Sequence, residues 1–283
     1  MKKYEEIYDE VLRLRKEGAS YYEIRNILQQ QYSLDVPKST LSYWLRHIHT
    51  PKNDGKGRPK SDQRLNKLRN CPETGYTLGA LLGDGYKHYE VKAKKYMVLL
   101  PVKDKEFAEE FARSAAVALG RSKPYRAYYI RSEETWLARA YSRELYLLSM
   151  RVKDHNDISA IIPYVEHCQE CVKSFIRGFA DAEGGPIVST KRIKISNTNL
   201  QLLRYIKHLL QQLGIYSRIY YGGFKSHYYE PENRYITSKK ALYELHICRK
   251  EAIRRYAAII GFTVDKKRIR LQQLLQAITN NPT

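Results

Sequence analysis

Two stretches carry one pattern of small residues: Tyr76-Thr77-Leu78-Gly79-Ala80-Leu81-Leu82-Gly83-Asp84-Gly85 and Phe175-Ile176-Arg177-Gly178-Phe179-Ala180-Asp181-Ala182-Glu183-Gly184. Gly79 aligns with Gly178, Gly83 with Ala182 and Gly85 with Gly184; the acids Asp84 and Glu183 coincide too, 99 residues apart. Residues four apart share one face of a helix. A face bare of side chains lets a second helix approach backbone to backbone. Two such helices, packed together, would end side by side with Asp84 and Glu183 projecting from one point. Carboxylates at the negative ends of two helix dipoles make a cation site. Hard oxygen donors there select Mg²⁺, with Mn²⁺ as the alternative. One glycine-rich helix end is commonplace, since glycine caps helices generally; the second copy, in register, gives the pattern its weight.

Working outward, each motif heads the same order of elements. The first half predicts strands at Tyr96–Val102, Tyr125–Arg131 and Thr135–Tyr141, with helices at Asp104–Leu119 and Arg143–Met150. The second predicts strands at Arg192–Ser196, Ser217–Tyr221 and Leu242–Cys248, with helices at Asn199–Leu213 and Glu251–Ile260. Gly120, Gly214 and Gly261 stop three of these helices. Residues 222–240 lengthen the last hairpin of the second half. The expected fold class is α+β: two pseudo-symmetric αββαββα repeats, 71–170 and 171–283.

Ahead of the repeats, residues 1–50 read as three short helices, near Tyr4–Lys16, Tyr21–Gln31 and from Ser39 or Thr40 onward. Ser20 caps the second. Their spacing resembles a helix-turn-helix module, a family in which the third helix enters the major groove. That resemblance assigns DNA contact to Lys38, Ser39, Ser42, Tyr43 and Arg46; a helical bundle for protein contacts is the plainer reading. Residues 51–70 form a basic linker, and Gly57-Arg58-Pro59-Lys60 within it looks like an AT-hook core, giving Arg58 and Lys60 as further contacts.

Composition agrees with a polyanionic partner. Fifty Lys and Arg stand against 30 Asp and Glu, a formal net charge of +20. The basic residues are spread along the chain and not gathered on one amphipathic helix, which argues against a membrane surface. No apolar run is long enough to span a bilayer and the N-terminus has no signal core, so a cytoplasmic location is expected. His167-Cys168-Gln169-Glu170-Cys171 holds one CxxC. Structural zinc needs about four ligands, and Cys71 and Cys248 lack matching spacing, so the pair reads as a helix start with two small buried residues, a bond between them being the other option. Lys153-Asp154-His155-Asn156-Asp157 reads as a helix-capping loop.

The paired motif and the repeat around it resemble the LAGLIDADG homing endonucleases, in the single-chain form with two motifs, over about residues 72–275. The resemblance implies a saddle with the motif helices at a pseudo-twofold interface within a monomer. It implies divalent metals held by Asp84, Glu183 and the carbonyls of Gly83 and Ala182, and double-strand DNA cleavage across the minor groove. Asp181, the earlier acid of its motif, takes a structural role. Catalytic lysines follow the closing helices of the halves; Lys267 fits best, and Lys153 is the nearest equivalent in the first half, well before Ile162-Pro163 where the family more often has its basic residue. The saddle strands read DNA with alternate side chains: Arg192, Lys194 and Ser196, then Arg218 and Tyr220, and Arg126 and Tyr128. The termini lack splicing residues, which points to a free-standing or intron-encoded enzyme. Two other functions fit the fold: a DNA-binding regulator that does not cut, and an intron RNA maturase. Two carboxylates aimed at phosphates gain a pure binder nothing, which favours cleavage.

Overall fold

The computed structural model describes residues 4–46, 68–224, 226–230 and 233–279. The chain divides into two compact units, residues 1–62 and 63–283.

In the first unit, α1 (Tyr4–Lys16), α2 (Tyr21–Tyr32) and α3 (Lys38–Leu45) bury one core: Ile7, Val11, Leu14, Ile24, Leu28, Val36, Leu41 and Trp44. Ser20 and Glu23 form a reciprocal capping box at the start of α2, which satisfies two otherwise unpaired donors. The expectation that Ser39 or Thr40 opens the third helix fails by a residue or two. Pro37 is the N-cap, without a side-chain bond, and α3 begins at Lys38, because proline presets the φ a helix start needs. The basic stretch holding Arg58 and Lys60 lies outside the described residues.

In the second unit the duplicated order is plain. The first half runs α4 (Pro72–Leu82), β1 (Tyr86–Glu90), β2 (Lys95–Val102), α5 (Lys105–Ala118), β3 (Ala127–Ile130), β4 (Thr135–Tyr141) and α6 (Arg143–His155). After a 3-10 turn and the short α7 (Ile162–Val165), the second half repeats it: α8 (Gln169–Glu183), β5 (Gly184–Ile187), β6 (Arg192–Asn197), α9 (Leu200–Gln212), β7 (Arg218–Gly223), β10 (Leu242–Ile247) and α10 (Lys250–Ile259). Each half builds an antiparallel four-stranded sheet with the same strand order, β1-β2-β4-β3 and β5-β6-β10-β7. The two pseudo-symmetric αββαββα repeats therefore form the saddle.

Val98, Leu100, Ala138 and Ala140 of one sheet, and Ile193, Ile195, Leu245 and Ile247 of the other, join the helices in one continuous core. α5 and α9 both end on a left-handed glycine, Gly120 at φ +66° and Gly214 at φ +68°. There the residue after the glycine bonds back to the last turn (Arg121 to Ala116, Ile215 to Leu210), the closure a residue without Cβ permits.

Four boundaries differ from expectation. α6 continues to His155, because Val152 extends the buried stripe of Leu145, Leu148 and Ser149 and Asn156 stops it only at φ 56°. β3 is shorter and leaves Arg126 outside the strand. The inserted segment folds back as its own hairpin, β8 (Ser226–Tyr229) with β9 (Arg234–Thr237), separate from both sheets. A final helix, α11 (Asp265–Thr279), follows α10 and packs Leu271, Leu274 and Ile278 into the core. Among the described residues no helix is long and apolar enough to cross a membrane.

Candidate active site at the paired helix ends

The small residues do what the pattern requires. A Cβ on Gly79 would stand 2.1 Å from the Phe175 carbonyl oxygen and 2.7 Å from the Phe179 nitrogen. A Cβ on Gly178 would stand 2.3 Å from the Tyr76 carbonyl and 3.1 Å from the Ala80 nitrogen. The contacts are reciprocal: each glycine meets the residues aligned with those its counterpart meets. Nearer the ends, Gly83 faces the Cβ of Ala182, its own aligned partner. The interface is thus set by absent side chains, and α4 is buried all round, from Thr74 to Leu82.

This packing puts the two acids at one place. Glu183 is the last residue of α8, and Asp84 lies two residues past α4. Asp84 stays open to solvent on one side; burial on the other raises its pKa against the pull of Lys267 and Lys153. Glu183 is more enclosed. Burial first, then the charge of Asp84, pushes it up to about 7, although Asn197 donates to its Oε1 at 2.7 Å. A cleft of 530 Å³ opens beside Glu183, lined by Gly83, Lys153, Asp154, Glu183, Asn197 and Asn199 among others but not by Asp84.

Both expected lysines reach the helix ends, at different places. Lys153 Nζ donates to the carbonyls of Gly83 (3.0 Å) and Gly85 (2.6 Å). Lys267 donates to those of Ala180 and Asp181, a turn earlier on the other motif. Cations suit the negative ends of helices. Burial lowers both pKa values, Lys153 to about 8, while the acids nearby oppose the shift. Lys267 follows α10, the closing helix of its half, in the first turn of α11, whereas Lys153 lies within α6 and does not follow it. Gly83, an expected backbone ligand, already accepts one hydrogen bond; its carbonyl keeps a second lone pair. Asp181 is 2% exposed. It accepts from the Tyr76 hydroxyl (2.9 Å) and from the backbone N–H of Thr263 (2.9 Å), tying α8 to α4 and to the approach to α11.

On the second sheet the strand parity holds. Ile193 and Ile195 are buried, leaving Arg192, Lys194 and Ser196 on the open face; Arg218 and Tyr220 share it, opposite His246 and Glu244. On the first sheet Tyr128 pairs with Leu137 on the open face, beside Arg139, whose guanidinium lies 5.8 Å from its ring. Arg126 is not brought there: it borders a groove with Glu106, Glu110 and Asp265. In the first unit, Lys38, Ser39, Tyr43 and Arg46 are exposed and Ser42 half-buried.

Sequence reasoning missed Asn197, Glu244 and His246. Asn197 holds Glu183; the stretch Asn197-Thr198-Asn199 signals only a helix cap, and Asn199 does cap α9. Glu244 accepts from Lys194 (3.2 Å) and meets His246 Nε2 at 3.1 Å, while Arg192 approaches His246 Nδ1 at 3.4 Å. The alternation of β10 could have placed both residues on the open face, but not on these partners.

The model of the LAGLIDADG-like domain family matches residues 170–261. The uncharacterized protein MJ0398 of Methanocaldococcus jannaschii is 29% identical over 275 residues, 96% of this chain and 94% of that one. A second uncharacterized protein of that organism, MJ0314, is 24% identical over 204 residues, 70% of this chain and 69% of its own length. Among solved structures, the homing endonuclease I-DmoI in complex with DNA and Ca covers 71% of this chain and 97% of its own, at 18% identity and a TM-score of 0.47. Full-length DUF199/WhiA from Thermatoga maritima covers 78% of this chain and 65% of its own, at 14% identity and a TM-score of 0.47.

Proposed function

From the match of residues 170–261 to the LAGLIDADG-like domain family, we propose that this chain is a site-specific, homing-type endonuclease that makes double-strand breaks in DNA by metal-dependent hydrolysis. One observation carries the reading: the duplicated helices meet so closely at their ends that a Cβ on Gly83 would stand 2.3 Å from the Ala182 Cβ and 3.1 Å from the Glu183 Cγ, which sets Asp84 beside Glu183, and the charge of Asp84 pushes Glu183 up. Such a pair is unfavourable by itself and favourable around a cation.

The donor set fits a hard divalent ion. Every group at the paired ends that could coordinate is an oxygen: two carboxylates and the carbonyls of Gly83 and Ala182. Mg²⁺ or Mn²⁺ held there would supply Lewis-acid stabilisation of charge on the reacting phosphodiester. The remaining work falls to side chains. Asn197 orients the Glu183 carboxylate through Oε1. Lys153 and Lys267, anchored on the motif carbonyls, hold protons beside the acids and are placed to meet a phosphate oxygen or a water.

The open sheet faces are the proposed DNA surface, with Arg192, Lys194, Ser196, Arg218, Tyr220 and Tyr128 as contacts. Arg126, in its groove, is a weaker member. Residues 1–50 are proposed as a helix-turn-helix module reading or gripping flanking DNA, 51–70 as its basic tether, and 71–170 and 171–283 as the two repeats of a monomer with internal pseudo-twofold symmetry. The test is Mg²⁺-dependent cleavage of a randomised duplex library. Cleavage by the wild type, abolished in Asp84→Ala and in Glu183→Ala with binding kept, is the expected result. Sequence-selective binding with no cut in the wild type would overturn the endonuclease in favour of a regulator.

A further inference from the structure

Cys168 and Cys171 stand at the opposite end of α8 from Glu183. A helix of 15 residues is about 22 Å long, so chemistry at the thiols does not reach the carboxylates. Cys168 is the N-cap and exposed, whereas Cys171, one turn on, is completely buried. The expectation of two small buried residues therefore holds for one of them only. The sulfurs are 3.1 Å apart, and Cys168 Sγ accepts from the Cys171 N–H at 3.4 Å.

We propose that Cys168 and Cys171 form a thiol–disulfide exchange site, with Cys168 as the attacking sulfur, Cys171 as the resolving one and a small-molecule disulfide as the oxidant. Exposure gives Cys168 access to the oxidant, and burial shields Cys171 from it. Hydrogen bonds from Cys171, from the His167 side chain and from backbone at the helix start bring the Cys168 pKa down to about 7; burial and the neighbouring sulfur push Cys171 up to about 12. A thiolate is the nucleophile in such exchange, and a pKa near ambient pH suits attack.

The chemistry balances. The Cys168 thiolate bonds to one sulfur of the disulfide, whose S–S bond breaks and releases one thiolate. Cys171 then loses its proton and attacks Cys168 Sγ, expelling the second thiolate. Two protein thiols are oxidised to one disulfide, the small disulfide is reduced to two thiols, and the two protons end on them.

Zinc is the other chemistry available, because the ligand atoms of His167, Cys168 and Cys171 all lie within 4.8 Å of one another. Tetrahedral zinc at about 2.3 Å from each sulfur would hold two sulfurs about 3.8 Å apart and take a fourth ligand. The sulfurs here are closer than that, and the cluster supplies three ligands.

The experiment equilibrates the full-length protein in oxidised and reduced glutathione mixtures, quenches with acid, tags free thiols with a maleimide and maps the tags by mass spectrometry. Cys168 and Cys171 should lose their tags together, ahead of the exposed Cys248. Cys171→Ser should trap glutathione on Cys168, and Cys168→Ser, at a surface position, should abolish the paired loss even if the buried variant fails to fold. Equal oxidation of Cys168 and Cys248, or one zinc per chain retained by the wild type and lost in Cys168→Ser, would overturn the proposal.

Discussion

Glu183 keeps a carboxylate where the fold disfavours its charge, and this has a measurable sign. Its folded pKa, about 7, lies above the ordinary value of 4.5, so between those values the folded state binds more protons than the unfolded one. Stability from this group is then present at low pH and is lost as pH rises through that window. Glu183→Gln, which keeps an acceptor for Asn197, should raise stability by about 1–3 kcal/mol at pH 8 without divalent ions, and the gain should vanish below about pH 4.5. Thermal melts from pH 4 to 8 in chelator measure it; an equal gain at all pH values would contradict the cause given. Mg²⁺ or Mn²⁺ should raise the melting temperature of the wild type and not of the variant. Gly79 makes the opposite kind of demand. Gly79→Ala puts a methyl 2.1 Å from the Phe175 carbonyl, and neither helix backbone can yield locally. A loss of about 3 kcal/mol in denaturant unfolding is expected, against a small helix-propensity gain from alanine elsewhere.

At the scale of elements, the two sheets share strand order but not the character of their open faces. The first carries Met97, Leu99 and Leu137, with Tyr128 and Tyr86 beside them; the second carries the Lys194–Glu244 ion pair with His246 and Arg192 next to it. Tyr220 stacks on His246 with ring centroids 4.8 Å apart. The inserted hairpin, β8 with β9, lies outside both sheets and exposes Tyr228 and Tyr235. Lone two-stranded ribbons contribute little stability of their own. Replacing residues 224–239 by a short Gly-containing turn should leave the melting temperature within a few degrees. It should weaken DNA binding, read by titration of a labelled target, if the ribbon extends the contact surface; a collapse of the fold would show that it supports the sheet instead.

For the whole molecule, a net charge of +20 should make the proposed binding to DNA depend steeply on salt, with a slope of about −0.9 per phosphate neutralised. The chain separates into compact units at residues 62 and 63, so a fragment of residues 63–283 should unfold cooperatively and keep the proposed cleavage. Its binding should weaken, with a shallower salt slope than the full chain. A fragment that neither folds nor cuts would show that the first 62 residues complete the second unit.

Much of the fold was written in local pattern. The two motifs, the glycine stops and the alternation in Arg192–Ser196 each act through neighbours a few residues away, so the repeat and the pairing of Asp84 with Glu183 could be read from the chain, while the saddle came with the family resemblance. Helix continuation past Met150 was hidden by a polar surface run that one buried valine overrides. Partners distant in sequence were decided only in three dimensions. Asn197 reaches Glu183, Lys153 and Lys267 choose different carbonyls, and Arg126 turns to an acidic groove, because each depends on which elements the closed core brings alongside. The small residues at positions 79, 83, 178 and 182 were determined by sequence; that their missing side chains let α4 and α8 meet backbone to backbone, and so bring two mutually repelling carboxylates together, was decided by the tertiary structure, because only packing of the whole core holds them there.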